Sequence, residues 1–173
     1  GNSGDIALNA GTLLLKDGAQ INSISVGDGD AANITVNARE LITIDGVGSV
    51  NPGGIGSGVE EGGTGSGGDI NITTGSLELK NGGVISSSNL SGEKNAGNIS
   101  VTARDKISID GVAGIGFANG VFGIAQNSGI FSATLKEGRG DGGSIDITTD
   151  SLSLTSGGTI SSSNYSQGNA GKV

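Results

Sequence analysis

One short phrase recurs along this chain at uneven intervals. A small residue, a polar residue and two branched apolar residues one apart read GDIAL at Gly4, ANITV at Ala32, GDINI at Gly68, GNISV at Gly97 and GSIDI at Gly143, and GKV at Gly171 opens a sixth copy. Units this short cannot each bury an apolar face alone, so a chain written this way must stack them. A second alternating pair follows in every unit: Leu13 and Leu15, Ile42 and Ile44, Leu77 and Leu79, Ile107 and Ile109, Leu152 and Leu154. A third element then repeats Ile-x-Ser, placing Ser23, Ser57, Ser87, Ser132 and Ser162 two residues after Ile21, Ile55, Ile85, Ile130 and Ile160.

Alternation of apolar with Ser, Thr, Asn or Asp is the period of a strand with one buried face, and no stretch has a helical period. The pattern therefore predicts an all-β fold: a parallel β-helix (β-solenoid) of about five coils with three short strands per coil, right-handed because parallel crossovers almost always are. Coils are expected to start near residues 4, 32, 68, 97 and 143, with a sixth cut off at 171, in a single segment spanning 1–173. The inward Ser residues should form a ladder whose hydroxyls bond one another or a corner carbonyl, an architectural role.

The anchors Ile6, Ile34, Ile70, Ile99 and Ile145 lie 28, 36, 29 and 46 residues apart. Plain coils thus alternate with coils carrying a loop, and the repeat is the pair. This explains why GGVISSSN at Gly82 returns as GGTISSSN at Gly157, an interval of 75 residues. The extra residues are expected at one place, between the second and third strands, as inserted loops at 46–54 and 111–128.

Composition narrows the chemistry. There are 36 Gly and one Pro, no Trp, Met, Cys or His, and only three Phe and one Tyr, so an aromatic core, disulfides and thiol chemistry are excluded. A net charge of −8 with no basic cluster argues against nucleic acid as a partner. No apolar run approaches the roughly 20 residues of a membrane helix, so membrane insertion is not expected, and the first residues lack the pattern of a signal peptide. Parallel β-helices do carry enzymes, and those resembling pectin-cleaving enzymes use clustered carboxylates with Arg, Lys or calcium. Here outward positions stack mostly Ser, Thr, Asn and Gly; Asp146 and Asn71 share one outward row without a second carboxylate, so no enzyme activity is expected.

Three exposed features are candidates for contact. Phe117 and Phe122 in the longest loop and Phe131 beside it could meet on one flank, as a satellite cluster or as a contact patch. Arg139, Gly140 and Asp141 spell the tripeptide that integrin-type receptors read, at a composition where Gly makes chance matches common. Acidic turns such as VGDGDAAN, Val26 to Asn33, lack the nonapeptide array of calcium-binding solenoids. No cofactor is expected, and any calcium taken would be weak and adventitious.

The phrases NITVNARELITIDG, GSGGDINITTGSLELKNGGVISSSN and NAGNISVTARDKISIDG resemble the repeats of filamentous-haemagglutinin-like exoproteins, large surface proteins of the cyanobacterial type secreted by the two-partner route. The resemblance covers essentially the whole chain. It implies a β-helix shaft segment of a longer protein, extracellular or held at the outer membrane, serving adhesion, aggregation or matrix building and contacting neighbouring coils, copies of itself, or surface glycans and proteins. It implies no catalytic residue. The alternative is a binding module that uses the Phe-bearing loop flank to hold a glycan or a protein.

Overall fold

The computed structural model of the chain describes residues 1–46, 53–90, 94–111, 116–118, 121–124, 127–135 and 139–173, with the side chains of 116–118 and 121–124 outside that description. Residues 47–52 of the 46–54 insertion and 112–115, 119–120 and 125–126 of the 111–128 insertion therefore fall outside the described residues. What is described is all strand and turn, with no helix. Long strands β1 (Ile6–Lys16), β3 (Ile34–Asp45), β5 (Ile70–Lys80), β7 (Ile99–Asp110) and β11 (Ile145–Thr155) alternate with short ones. The short strands are β2 (Gln20–Ser25), β4 (Gly54–Val59), β6 (Val84–Asn89), β10 (Gly129–Thr134) and β12 (Thr159–Asn164). Within the long insertion, β8 (Gly116–Ala118) pairs antiparallel with β9 (Val121–Ile124) and joins neither of the larger sheets.

Every long strand pairs in parallel with its equivalent one coil on, giving a five-stranded sheet in the order β1-β3-β5-β7-β11, and the short strands form a second in the order β2-β4-β6-β10-β12. The chain is a β-solenoid of stacked parallel strands. The register is the one the repeats dictate: Ile6, Ile34, Ile70, Ile99 and Ile145 align, as do Ile21, Ile55, Ile85, Ile130 and Ile160. Between the sheets these side chains form one column with Val36, Ile42, Ile44, Leu77, Leu79, Ile107 and Ile109, nearly or fully buried except for the partly buried Ile6, Ile21 and Ile160. Each such side chain contributes about 1.5–3 kcal/mol on burial. In β11 the inward Leu152 and Leu154 are 46% and 42% exposed.

Two details differ from the sequence reading. The first and second segments of each coil are not separate strands: they run on as one strand of 11 or 12 residues with a register irregularity in the middle. The irregularity is a bulge in which Gly11 and Gly75 of plain coils each oppose two residues, Arg39–Glu40 and Arg104–Asp105, of the coils that follow. A bulge bends a strand without ending its pairing, so Gly11–Thr12 and Gly75–Ser76 mark a bend within one strand. The extra residues consequently do not all enter at one place. Seven positions separate Ile6 from Leu13 and Ile70 from Leu77, but eight separate Ile34 from Ile42 and Ile99 from Ile107, so the loop-bearing coils also carry the bulge residue.

The passage from long to short strand in plain coils is a tight turn. Asp17–Gly18, Asn81–Gly82 and Ser156–Gly157 all have positive φ, and the flanking amides close it, as in Gly83 N–H to Lys80 C=O at 2.9 Å. Two successive positive φ values are the signature of a type I′ turn, which Asn-Gly and Asp-Gly adopt at least cost. On the outer face of the long-strand sheet, Lys16, Asp45, Lys80 and Asp110 stand in one row of alternating sign, with Lys80 Nζ 3.7 Å from Asp45. Such exposed pairs stabilise little.

The closest backbone approaches are at the corner leading into each long strand. A Cβ on Gly97 would lie 2.2 Å from the Gly68 carbonyl oxygen and 2.8 Å from Ser87 Oγ, whereas one on Gly27 would meet nothing within 4 Å. Gly97→Ala should lower the melting temperature measured by circular dichroism. Gly27→Ala should leave it unchanged or raise it slightly, through the ~0.4–1 kcal/mol by which Ala restricts the unfolded chain.

Candidate functional site

The polar groups that the fold gathers most densely lie at this corner. The first set is the inward Ser ladder. Ser57 Oγ donates to the Ala32 carbonyl at 2.7 Å and accepts from Gly68 N–H at 3.2 Å. Ser87 donates to Gly68 C=O and accepts from Gly97 N–H, both at 2.9 Å, and Ser132 does the same with Gly97 C=O (2.9 Å) and Gly143 N–H (3.0 Å). Ser23 accepts from Ala32 N–H at 2.8 Å, and Ser162 donates to Gly143 C=O at 2.8 Å. The hydroxyls do not bond one another. Ser57, Ser87 and Ser132 each tie the small residue that opened their own coil to the one that opens the next, and Ser87 and Ser132 are fully buried in doing so.

The polar residue of the anchor phrase forms a second ladder. Asp5 Oδ1 accepts from Asn33 N–H, Asn33 Oδ1 from Asp69 N–H, Asp69 Oδ1 from Asn98 N–H and Asn98 Oδ1 from Ser144 N–H, at 2.7 to 3.0 Å. A third, three residues earlier in each coil, was not anticipated: Asn2 Oδ1 caps Asp30 N–H, Asp30 caps Ser66, Asn95 caps Asp141 and Asp141 caps Asn169. Its signal is legible once the phrase is extended backward, as GNSGDI, GDAANI, GSGGDI, KNAGNI, GDGGSI and GNAGKV. Asn89 and Asn164, at the end of the ISSSN phrases, are also structural. Their Nδ2 groups donate inward, Asn89 to Gly65 C=O (3.0 Å) and Lys94 C=O (2.8 Å), Asn164 to Gly140 C=O (3.0 Å) and Asn169 C=O (2.9 Å).

Arg139, Gly140 and Asp141 lie within this corner. Arg139 is exposed and Gly140 buried, and a Cβ on Gly140 would sit 2.0 Å from the Lys94 carbonyl oxygen. The Asp141 carboxylate accepts from the Asn169 amide at 2.6 Å, so the acid of the triplet faces the next coil. In the acidic turn, Asp28 accepts from Thr64 Oγ1 at 3.2 Å, and Asp30 takes the Ser66 amide at 2.8 Å with Lys94 Nζ at 3.7 Å. Among the described residues no group of three or more acids could hold a metal ion. Asn71 and Asp146 share an outward row with Ser100 between them.

The loop flank is built around Ser128. Its Oγ donates to Asp110 C=O at 2.9 Å and accepts from Gly82 N–H at 3.0 Å, while its own N–H bonds Gly111 C=O at 3.1 Å. The two ends of the long insertion are thus one hydrogen bond apart, which is how a coil admits it without losing register. Phe117 and Phe122 are opposed across the β8–β9 pair, and their side chains are outside the described residues. Phe131 is half-buried and its ring lies over Gly129 of its own strand, where a Cβ would come 2.4 Å from the ring. Among the described residues no buried side-chain polar atom lacks a hydrogen-bond partner.

Ser87→Ala removes a bond from two buried backbone groups at once and should destabilise the chain by about 1–3 kcal/mol in a denaturant titration. Acid should also weaken the corner. The Ser66 amide, with Lys94 adding to it, holds the Asp30 carboxyl below its ordinary 3.8, and the Thr155 and Ser156 hydroxyls hold Asp110 below it too. A carboxyl depressed in the folded chain contributes stability that is complete above the unfolded pKa and is lost as pH falls through the folded one. The melting temperature should therefore be flat from neutrality to about pH 5 and fall below pH 3.8. Asp30→Asn with Asp110→Asn should make that acid limb shallower.

No family model, curated protein or solved structure matches the chain.

Proposed function

We propose that this chain is a structural shaft segment of a secreted or cell-surface adhesin-like exoprotein, of the filamentous-haemagglutinin-like two-partner-secretion kind that its repeats resemble. The observation that carries the reading is the disposition of its polar groups. The polar side chains gathered at the corner are committed to ties between coils: Ser to the coil openings, Asx to the next amide, Asn89 and Asn164 to corner carbonyls. A chain that spends its polar residues this way is built to hold a fixed rise per coil. In this reading it catalyses nothing, needs no cofactor and stands outside the cell, with end-to-end continuation of the stack as the route to filaments.

The second reading, a glycan- or protein-binding module, rests on the β8–β9 hairpin, which belongs to neither stacked sheet and so stands as a separate feature on the flank. Phe117→Ser with Phe122→Ser separates the two. A shaft keeps its melting temperature and its adhesion, whereas a binding module loses capture of its glycan or protein.

Two measurements test the shaft. Antibody against the segment should label intact cells of the organism that makes it; labelling only after lysis would sink the extracellular assignment. Pulled from its two ends in a force spectrometer, the folded segment should yield coil by coil. The steps should reflect the 28, 36, 29 and 46 residues between anchors, each residue adding about 3.3–3.6 Å of contour. Featureless extension would contradict a load-bearing role.

A further inference from the structure

Of the tight turns that join long to short strands, one differs from the others in its chemistry. Asn81–Gly82 is an Asn-Gly pair, one of two in the chain, and the other, Asn119–Gly120, lies outside the described residues. In such a pair the backbone nitrogen of the glycine attacks the carbonyl carbon of the Asn side chain. The new C–N bond closes a five-membered succinimide, the bond to Nδ2 breaks, and ammonia leaves with the proton the glycine nitrogen gives up. Water then opens the ring at either carbonyl, giving aspartate or isoaspartate. Glycine makes the attack easiest, because no Cβ shields its nitrogen. The surroundings of Asn81–Gly82 oppose this reaction at three points.

The nucleophile is occupied. Gly82 N–H donates to Ser128 Oγ at 3.0 Å in a buried bond, and Ser128 donates onward to Asp110 C=O at 2.9 Å. The nitrogen must shed its proton to attack, and a hydrogen bond made by the protonated form disfavours that loss. The electrophile is held as well: Asn81 Nδ2, the group that must leave, donates to Asp45 Oδ1 at 2.9 Å. The backbone between them is clasped from both neighbouring coils. A Cβ on Gly46 would lie 2.5 Å from the Asn81 carbonyl oxygen, and one on Gly111 would lie 3.1 Å from the Asn81 nitrogen. Bringing nitrogen to carbon therefore requires the coils to part. The equivalent turn of the first coil is a contrast. Gly54 and Gly129 both align with Val84, so Gly53 stands where Ser128 does, and its Cβ would lie 3.6 Å from Gly18 Cα. Gly53 brings no hydroxyl to the Asp17–Gly18 turn, where the side chain is a carboxylate and a far poorer electrophile than an amide. The last such turn, Ser156–Gly157, has no side-chain carbonyl to attack.

We propose that Asn81–Gly82 is a latent deamidation site, held unreacted by Ser128 and Asp45 for as long as its coil stays stacked between its neighbours. Parting of the coils frees the glycine nitrogen and the Asn amide together, and the reaction can start. Neither product fits the closed turn. Isoaspartate adds a carbon to the main chain, which upsets the spacing of the Gly83 N–H to Lys80 C=O bond, 2.9 Å, that closes the turn. Aspartate sets a second carboxylate against Asp45, where an amide now donates. The turn thus converts a passing separation of coils into a lasting change. Ser128 acts here as a positioning residue, and the bond by which it closes the long insertion on Asp110 is the one that aims its oxygen at Gly82.

The test is the rate of ammonia loss at Asn81 in the 173-residue chain kept at neutral pH. It is read by mass spectrometry on the peptide 79–93, released by cleavage after Glu78 and Glu93. Fragmentation of that peptide separates Asn81 from Asn89, and isoaspartate from aspartate. The folded chain should react at least about tenfold more slowly than the same chain unfolded in urea. Among folded chains, Ser128→Ala should raise the rate about five- to tenfold, the effect of losing one such hydrogen bond, and Asp45→Ala should raise it too. Ser57→Ala, which removes an equally buried Ser bond at another corner, should leave it unchanged, and this separates a local guard from a general loss of stability. Three outcomes overturn the proposal: a folded chain that reacts as fast as the unfolded one, a rate unmoved by Ser128→Ala, or a rate raised as much by Ser57→Ala as by Ser128→Ala. Should Ser128→Ala fail to fold by circular dichroism, the folded and unfolded rates of the unaltered chain decide, with an unmoved rate in Asp45→Ala counting against the proposal.

Discussion

Everything in this molecule depends on how closely one coil can lie on the next at the corner that opens each long strand. The rise per coil is fixed near the ~4.8 Å of a parallel β-ladder, and at the corner the backbone turns without a ladder to hold it. There the chain substitutes side-chain oxygens for strand pairing: Ser from inside, two ranks of Asx from outside, each satisfying a backbone amide that would otherwise be unpaired. Glycine is required because a Cβ at Gly68, Gly97 or Gly143 would fall about where the carbonyl oxygen of the previous coil sits, 2.1 to 2.2 Å away. The high Gly content and the Ser and Asn content answer the same geometric demand.

With the corners pinned, the rest of the coil is free to vary. The insertion between β7 and β10 spans residues 111–128, yet Ser128 returns the chain to within a hydrogen bond of Gly111, so the neighbouring coils see no gap. Arg39–Glu40 and Arg104–Asp105 widen alternate coils by one bulged residue. Gly11 and Gly75 leave room for it: the Arg39 and Arg104 guanidinium groups lie 3.4 and 2.9 Å from where a Cβ would be. Alternation of plain and bulged coils is therefore a packing relation between neighbours as well as a spacing of loops. The same freedom separates the two sheets, one whose long strands carry Asp, Glu, Lys and Arg and one whose short strands carry none, on a single interior column.

Much of the architecture was legible because a strand period of two and a fixed repeat phrase leave few alternatives. Ile6 through Ile145 and Ile21 through Ile160 could be aligned by eye, and the parallel register follows from that alignment. The strand count per coil was not legible. A Gly or an Arg-Glu pair between two alternating runs is written the same way whether the chain turns or merely bulges, and only the hydrogen bonds of adjacent coils distinguish the two. The inward Ser residues were legible as a ladder with two partners open, one another or a corner carbonyl; the carbonyl is the one used, and it belongs to a different part of the coil, 19 positions away for Ser87 and Gly68. The earlier Asx rank went unread because its residues vary among Asn, Asp and Ser, and one of its glycines is replaced by Lys94.

By itself the sequence determined the periodicity, and with it the stacking, the parallel strands and the composition of the interior, because burial of every second residue in a repeated phrase admits one arrangement. Only the tertiary structure decided which polar residues meet. Asp141 reads as part of an adhesion triplet until the Asn169 amide of the next coil is found on its carboxylate, and Phe131 reads as one of three phenylalanines that could meet on a flank until its ring is found over Gly129. These pairings join residues two to dozens of positions apart by distances of a few ångströms. Such distances depend on the pitch, bend and pleat of the assembled coils, which no local phrase encodes.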